Sequence, residues 1–152
     1  MEDVATSTAA LWHPHVVNPL APLAQALDAV GDRWTLLIVD SLVDGAKRFG
    51  EIEATVEGIS TNVLAQRLRQ LETESLVTAR PYSRRPLRMS YALTGDGRAL
   101  VSAIAALTAW GASRYGGDLP VHDACGTDLE MRVWCPTCEE SVEPGSTDLH
   151  HL

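Results

Sequence analysis

Apolar residues in this chain recur at helical spacing as far as Leu76, and from Val77 the period changes to alternation. That one change restricts the fold more than any other feature. Before it, Leu64, Leu68 and Leu71 form a single buried stripe behind Gly58 and Ser60. Gly58 breaks the preceding pattern, and Ser60 stands where an N-cap accepts backbone N–H groups that would otherwise lack partners. After the change, Val77 begins a strand, Pro81 to Pro86 supply turn residues, and Met89, Tyr91 and Leu93 alternate along a returning strand. A helix running directly into a hairpin is therefore expected.

The flanking segments supply more helices. Leu23, Ala26, Leu27 and Val30 predict a short helix that ends at Gly31. Asp32 is placed to cap a second, with Trp34, Leu37, Ile38 and Leu42 on one face and Leu36 and Val39 on the other; a helix apolar nearly all round belongs in the core. Phe49, Ile52 and Val56 predict a third, from about Arg48 to Glu57, and Gly58 turns it into the Ser60-capped fourth. Thr94 is expected to cap a long final helix with a stripe of Leu100, Ala103, Ile104, Leu107 and Trp110, closed by Gly111, Gly116 and Gly117. The expected class is mainly α with a small β-hairpin: a winged helix-turn-helix with a long C-terminal helix.

Net charge is -8 over 152 residues, an unpromising balance for a partner of nucleic acid. The charge is partitioned, however. Residues 1–45 carry one basic and six acidic side chains, residues 46–98 nine basic and six acidic, and residues 118–152 one basic and eight acidic. Arg67, Arg69, Arg80, Arg84, Arg85 and Arg88 lie between Thr61 and Ser90 against only Glu72 and Glu74. The basic excess falls on the predicted helix and hairpin, where local steering of DNA requires it.

Other classes find little support. The longest apolar runs, such as Leu36 to Val39, fall far short of the roughly 20 residues a membrane span needs, and the first seventeen residues contain no Lys or Arg. Three cysteines, all in the last 28 residues, cannot staple the core, so a cytoplasmic location is expected. The sequence has no phosphate loop, no GxSxG nucleophile turn and no carboxylate pair beside a base, so no enzyme is expected.

With Leu64, Leu68 and Leu71 inward, the 100° helical step places Asn62, Gln66, Arg69 and Thr73 on the opposite face, with Thr61, Ala65 and Gln70 flanking. Asn and Gln can pair with adenine in bidentate fashion and Arg with guanine. Ser60, Thr61, Asn62, Gln66, Arg67, Arg69 and Gln70 are thus candidate DNA contacts on the helix; Arg84, Arg85 and Arg88 are candidates on the hairpin, and Lys47 and Arg48 ahead of the third helix.

The segments ALDAVGDRWTLLIVDSL, KRFGEIEATVEGISTNVLAQRLRQLETESLV and YALTGDGRAL resemble the HxlR-type branch of the MarR-like winged-helix transcriptional regulators, over about residues 20 to 111. The resemblance implies a homodimer on a pseudo-palindromic double-stranded operator, with the N-terminal segment and the final helix at the dimer interface. Leu20, Leu23, Leu100, Ala103, Ile104, Leu107 and Trp110 are the interface candidates. Repression rather than activation is the expected direction, and no residue pattern identifies a small-molecule effector. Two departures stand out. Many members carry a sensing cysteine just before the first helix, where this chain has Ala21, and Gly95-Asp96 replaces the usual Pro-Ala after the capping Thr.

The tail VHDACGTDLEMRVWCPTCEESV places two residues between His122 and Cys125 and two between Cys135 and Cys138. Such pairs can each bend round one metal, and a strand at Met131 to Trp134 would unite them in a small Cys3His zinc ribbon. A weakly ordered acidic tail with free thiols and a Cys135–Cys138 redox disulfide are the alternatives. The expected organisation is an arm at 1–19, a DNA-binding and dimerisation domain at 20–117, a zinc ribbon at 118–145 and a disordered tail at 146–152. His13, His15, His150 and His151 in the termini are expected to be solvated. A transcriptional regulator is the leading reading; a protein-interaction adaptor and a regulator triggered by redox or metal at the C-terminal cysteines are the others.

Overall fold

The computed structural model describes residues 20–143. The expected arm at 1–19 and tail at 146–152, with their four histidines, lie outside the described residues.

Helix α1 (Ala21–Val30) and helix α2 (Arg33–Ser41) meet at Gly31, where a Cβ would lie 2.4 Å from the Leu27 carbonyl oxygen. Only glycine fits that joint. Asp32 caps α2 as expected, its Oδ1 accepting from the N–H groups of Trp34 and Thr35 at 3.0 and 3.2 Å. Ile38, Val39 and Leu42 are fully buried, which makes α2 the central helix, whereas Leu37 is exposed rather than part of the expected inner face.

A two-residue strand β1 (Lys47–Arg48) leads into helix α3 (Phe49–Thr55), whose start is held by the Arg48 N–H donating to Glu51 Oε2 at 2.6 Å. Gly58, at φ +81°, makes the turn to helix α4 (Thr61–Thr73), and Ser60 Oγ accepts from Val63 N–H at 3.4 Å. Leu64, Leu68 and Leu71 are all buried, each contributing roughly 1.5 to 3 kcal/mol relative to exposure.

Strands β2 (Val77–Arg84) and β3 (Leu87–Leu93) form the antiparallel hairpin, and β1 adds to its other edge in the order β1-β3-β2. The turn is tighter than expected: Pro81 and Tyr82 belong to β2, and only Arg85 and Pro86 separate the strands. The register shifts between Pro81 and Ser83. Proline has no N–H to give a ladder, so a bulge beside it is its natural place.

The expected single final helix is two, α5 (Gly95–Ala99) and α6 (Val101–Tyr115), broken at Leu100. Thr94 caps α5 by accepting from Gly97 N–H at 3.1 Å and itself donates to the Ser75 carbonyl at 2.7 Å. The cap thereby ties α5 to the end of α4. Gly111 lies inside α6, and Gly116, at φ +82°, ends it. The core gathers α2, α3 and α4 with Val77, Leu93 and Ile104.

Beyond α6, an isolated antiparallel bridge joins Val121 to Asp128, and strands β4 (Val133–Cys135) and β5 (Glu140–Val142) make a second small hairpin. The strand expected at Met131 to Trp134 is thus shifted, and it pairs within its own hairpin rather than across to the first cysteine.

Candidate nucleic-acid interface

Helix α4 presents two chemically different sides. Asn62, Gln66, Arg69 and Thr73 are exposed on the side opposite the buried leucines, and Ala65 is half-buried beside them. Thr73 bonds back to the Arg69 carbonyl at 3.0 Å, which leaves amide and guanidinium groups as the longer outward donors. At the N-terminus, Thr61 Oγ1 donates to Glu53 Oε1 of α3 at 2.6 Å, and exposed Ser60 is engaged as the cap.

The flank facing α1 and α2 is committed within the fold. Arg67 Nε and Nη2 donate to Asp32, and its Nη1 donates to Gln70 Oε1 at 3.1 Å. Gln70 Nε2 in turn donates to the Ala29 carbonyl at 3.2 Å. Arg67 and Gln70, expected toward DNA, are turned instead onto the α1–α2 joint. Their positions border the leucine stripe, and an acceptor contributed from 35 residues away leaves no trace in local periodicity. Partial burial pushes the Asp32 carboxyl up, but the Arg67 hydrogen bond and charge and the N–H groups of Thr35 and Trp34 outweigh it, and the group titrates below its ordinary value.

On the hairpin, Arg80, Arg84, Arg85 and Arg88 are exposed. Ser83 pairs with Arg88 and Arg84 with Leu87, so Arg84, Arg85 and Arg88 cluster about the tip, while Arg80 lies further down opposite Ser90. The Arg48 guanidinium lies 4.5 Å from the centroid of Tyr82, and this cation–π contact braces the wing against the start of α3. Tyr82 gives no signal in the sequence, since its partner is set by sheet pairing. Lys47 is half-buried opposite Tyr91 of β3. Donors and positive charge converge here without any base, nucleophile or acid arranged for bond-making; the surface is suited to binding.

A second, apolar surface lies on α1 and α6. Leu23 and Leu27 on α1, and Leu107, Trp110 and Tyr115 on α6, are each more than half exposed, and Trp110 and Tyr115 meet edge to face at 5.9 Å. Leu20 and Ala103 are also exposed. Ile104, expected at a partner surface, is only 7% exposed and belongs to the core, and Leu100 is packed against that core. The outward stripe therefore runs further toward the C-terminus than its periodicity suggests.

In the tail, Cys125 Sγ lies 3.4 Å from His122 Nδ1, and Cys135 and Cys138 share a turn closed by the Glu139 N–H donating to the Cys135 carbonyl at 2.9 Å. Among the described residues no group of three or more His, Cys, Asp or Glu side chains is close enough together to hold a metal ion. The four expected ligands form two pairs that are not joined.

A family model described as HxlR-like helix-turn-helix matches residues 29–118. An uncharacterized HTH-type transcriptional regulator of Mycobacterium tuberculosis is 37% identical over 125 residues, covering 79% of this chain and 78% of that protein. The HTH-type transcriptional regulator YodB of Bacillus subtilis is 37% identical over 94 residues, covering 61% of this chain and 84% of YodB. Among solved structures, the reduced form of YodB superposes with a TM-score of 0.55 at 35% identity, covering 64% of this chain and 97% of that one. The redox regulator HypR in its reduced form superposes with a TM-score of 0.58 at 31% identity, covering 61% and 92%.

Proposed function

This chain belongs to the HxlR-like helix-turn-helix family of DNA-binding transcriptional regulators, and we propose from that premise that it is a homodimeric repressor of a pseudo-palindromic operator. The exposed Asn62, Gln66 and Arg69 on one face of α4, beside a hairpin carrying exposed Arg84, Arg85 and Arg88, carry the reading. Helix α4 enters the major groove and those three side chains meet base edges, while the hairpin arginines take phosphates or an adjacent narrow minor groove. Lys47 and Arg48, next to the wing, add to the backbone contacts. Arg67 and Gln70 position α4 from behind and do not read.

The exposed apolar side chains of α1 and α6 support the homodimer, since a two-fold pairing of such faces is self-complementary and removes them from water. Two α4 helices then address half-sites about one helical turn, roughly 34 Å, apart. Among the described residues no helix is long and apolar enough to cross a membrane; the regulator works beside DNA in the cytoplasm. An adaptor role is less favoured, because a protein partner gives no use to a basic hairpin aligned with a polar helix face.

HypR and YodB have been captured in reduced and in oxidised or diamide-treated forms. In this chain α1 opens on Ala21 and all three cysteines lie in the tail, so any oxidant response of the operator complex has to come from the tail cysteines. The test is selection of duplexes from a random pool by the purified protein, followed by the stoichiometry of the complex. A two-fold symmetric consensus bound by two chains is expected; a pool that stays random, or one chain per duplex, contradicts the proposal.

A further inference from the structure

The two turns of the C-terminal tail are built alike. In the first, the His122 carbonyl accepts from Gly126 N–H at 2.7 Å, and Gly126 stands at φ +65°. In the second, the Cys135 carbonyl accepts from Glu139 N–H at 2.9 Å, and Glu139 stands at φ +55°. Each turn thus carries a donor side chain at its first position, a second at its fourth and a left-handed residue at its fifth. Gly126 takes that conformation freely; Glu139 adopts it against the usual preference of a residue with a Cβ.

Each turn also sits at the tip of a small antiparallel pairing, Val121 with Asp128 for the first and β4 with β5 for the second. In the first turn the Thr127 hydroxyl lies 3.3 Å from Cys125 Sγ. A hydroxyl so placed can support a sulfur that carries charge. Meanwhile none of residues 118–143 is buried. A segment well under about 40 residues without a buried side chain has no hydrophobic means of keeping two hairpins in order.

We propose that His122, Cys125, Cys135 and Cys138 are the four ligands of one structural zinc ion that draws the two turns together. Three thiolates and an imidazole suit zinc rather than calcium or magnesium, which take oxygen ligands. With all four positions filled by protein, the ion is closed to substrate and serves to order the tail. The span 126–134 between the turns is the part that adjusts, since the two pairs are not within one coordination sphere in the described structure. A redox pair formed by Cys135 and Cys138 leaves the matching His122–Cys125 turn without a purpose.

The experiment uses the full chain purified under reducing conditions, with zinc content by elemental analysis and cobalt(II) titration followed by absorption. One zinc per chain is expected, and cobalt should give the intense visible bands of a tetrahedral site with thiolate charge transfer. Cys125→Ser, Cys135→Ser and Cys138→Ser should each remove about a third of the charge-transfer intensity, one thiolate in three. His122→Ala should keep the charge transfer but weaken cobalt affinity by more than about tenfold. Glu139→Gly, which relieves the left-handed backbone, should tighten binding by a few-fold. Far-UV helicity, set by residues 20–117, should stay unchanged in all five variants and so separates loss of the site from loss of the fold. Absence of zinc in the reduced protein, an octahedral cobalt spectrum, or a His122→Ala protein that binds cobalt as well as the parent would overturn the proposal. So would metal held by Cys135 and Cys138 alone.

Discussion

Arg67 forks onto Asp32: its Nε lies 2.9 Å from Oδ1 and its Nη2 3.2 Å from Oδ2. The same carboxylate caps α2, so one side chain closes the start of the central helix and fixes the rotation of the helix that carries the exposed amides. Gln70, bonded to Arg67 and to the Ala29 carbonyl, extends the clasp to the end of α1. The outward direction of Asn62, Gln66 and Arg69 is thus a consequence of what Arg67 and Gln70 hold.

Replacing Asp32 by Ala removes both roles. The cap alone accounts for about 0.5 to 2 kcal/mol, whereas Arg67→Ala, which breaks a partly exposed pair, should cost about 1 kcal/mol or less. Urea denaturation of the two single variants and the double variant should show a positive coupling between them. The carboxyl titrates below its ordinary 3.8, so its contribution is whole at neutral pH and is lost as pH falls below 3.8 and through the depressed folded value. In Asp32→Asn that acid-dependent component should be absent, which a set of melts between neutral and acid pH would reveal.

Gly97 is irreplaceable for a different reason. A Cβ there would stand 2.1 Å from the Leu76 carbonyl oxygen, a backbone atom that cannot step aside. Gly97→Ala should therefore destabilise the fold by about 1 to 3 kcal/mol by forcing α5 off the strand, while Gly50→Ala, with open space around it, should change stability by less than about 1 kcal/mol. Thermal melts of the pair provide the comparison.

Thr35 offers a gain. It is 1% exposed, and its Oγ1 has no hydrogen-bond partner among the described residues. A buried hydroxyl left unsatisfied costs about 1 to 3 kcal/mol, and valine keeps the shape without the polar atom. Thr35→Val should raise the denaturation midpoint at an unchanged slope.

The wing arginines should act through charge. Arg84→Ala with Arg85→Ala should weaken every duplex alike and reduce the slope of log affinity against log salt by about 0.9 for each phosphate that is no longer neutralised. Fluorescence anisotropy over a salt series measures both effects on the same samples.

Much of this organisation is readable in the sequence because its determinants are local. Asp32, Ser60 and Thr94 are short polar residues ahead of apolar patterns, and each caps the expected helix. Leu64, Leu68 and Leu71 declare their buried face by spacing alone. What escapes the sequence depends on distant partners. Strand β1 is two residues long and exists only through pairing with Ser90 and Tyr91. The break at Leu100 divides a continuous apolar pattern, and the burial of Ile104 follows from how α6 crosses the core, neither of which helical periodicity encodes. Arg67 reads locally as one more cation of a basic patch; only the α1–α2 joint reveals its partner.

The most direct test of the central claim measures discrimination rather than affinity. Against a selected operator and its single-base-pair variants, competition anisotropy at fixed salt should show that Gln66→Ala and Arg69→Ala each forfeit about 1 to 3 kcal/mol of preference at particular base pairs while the salt slope is retained. A uniform weakening across all variants, or no change for either substitution, would contradict the assignment of α4 as the reading element.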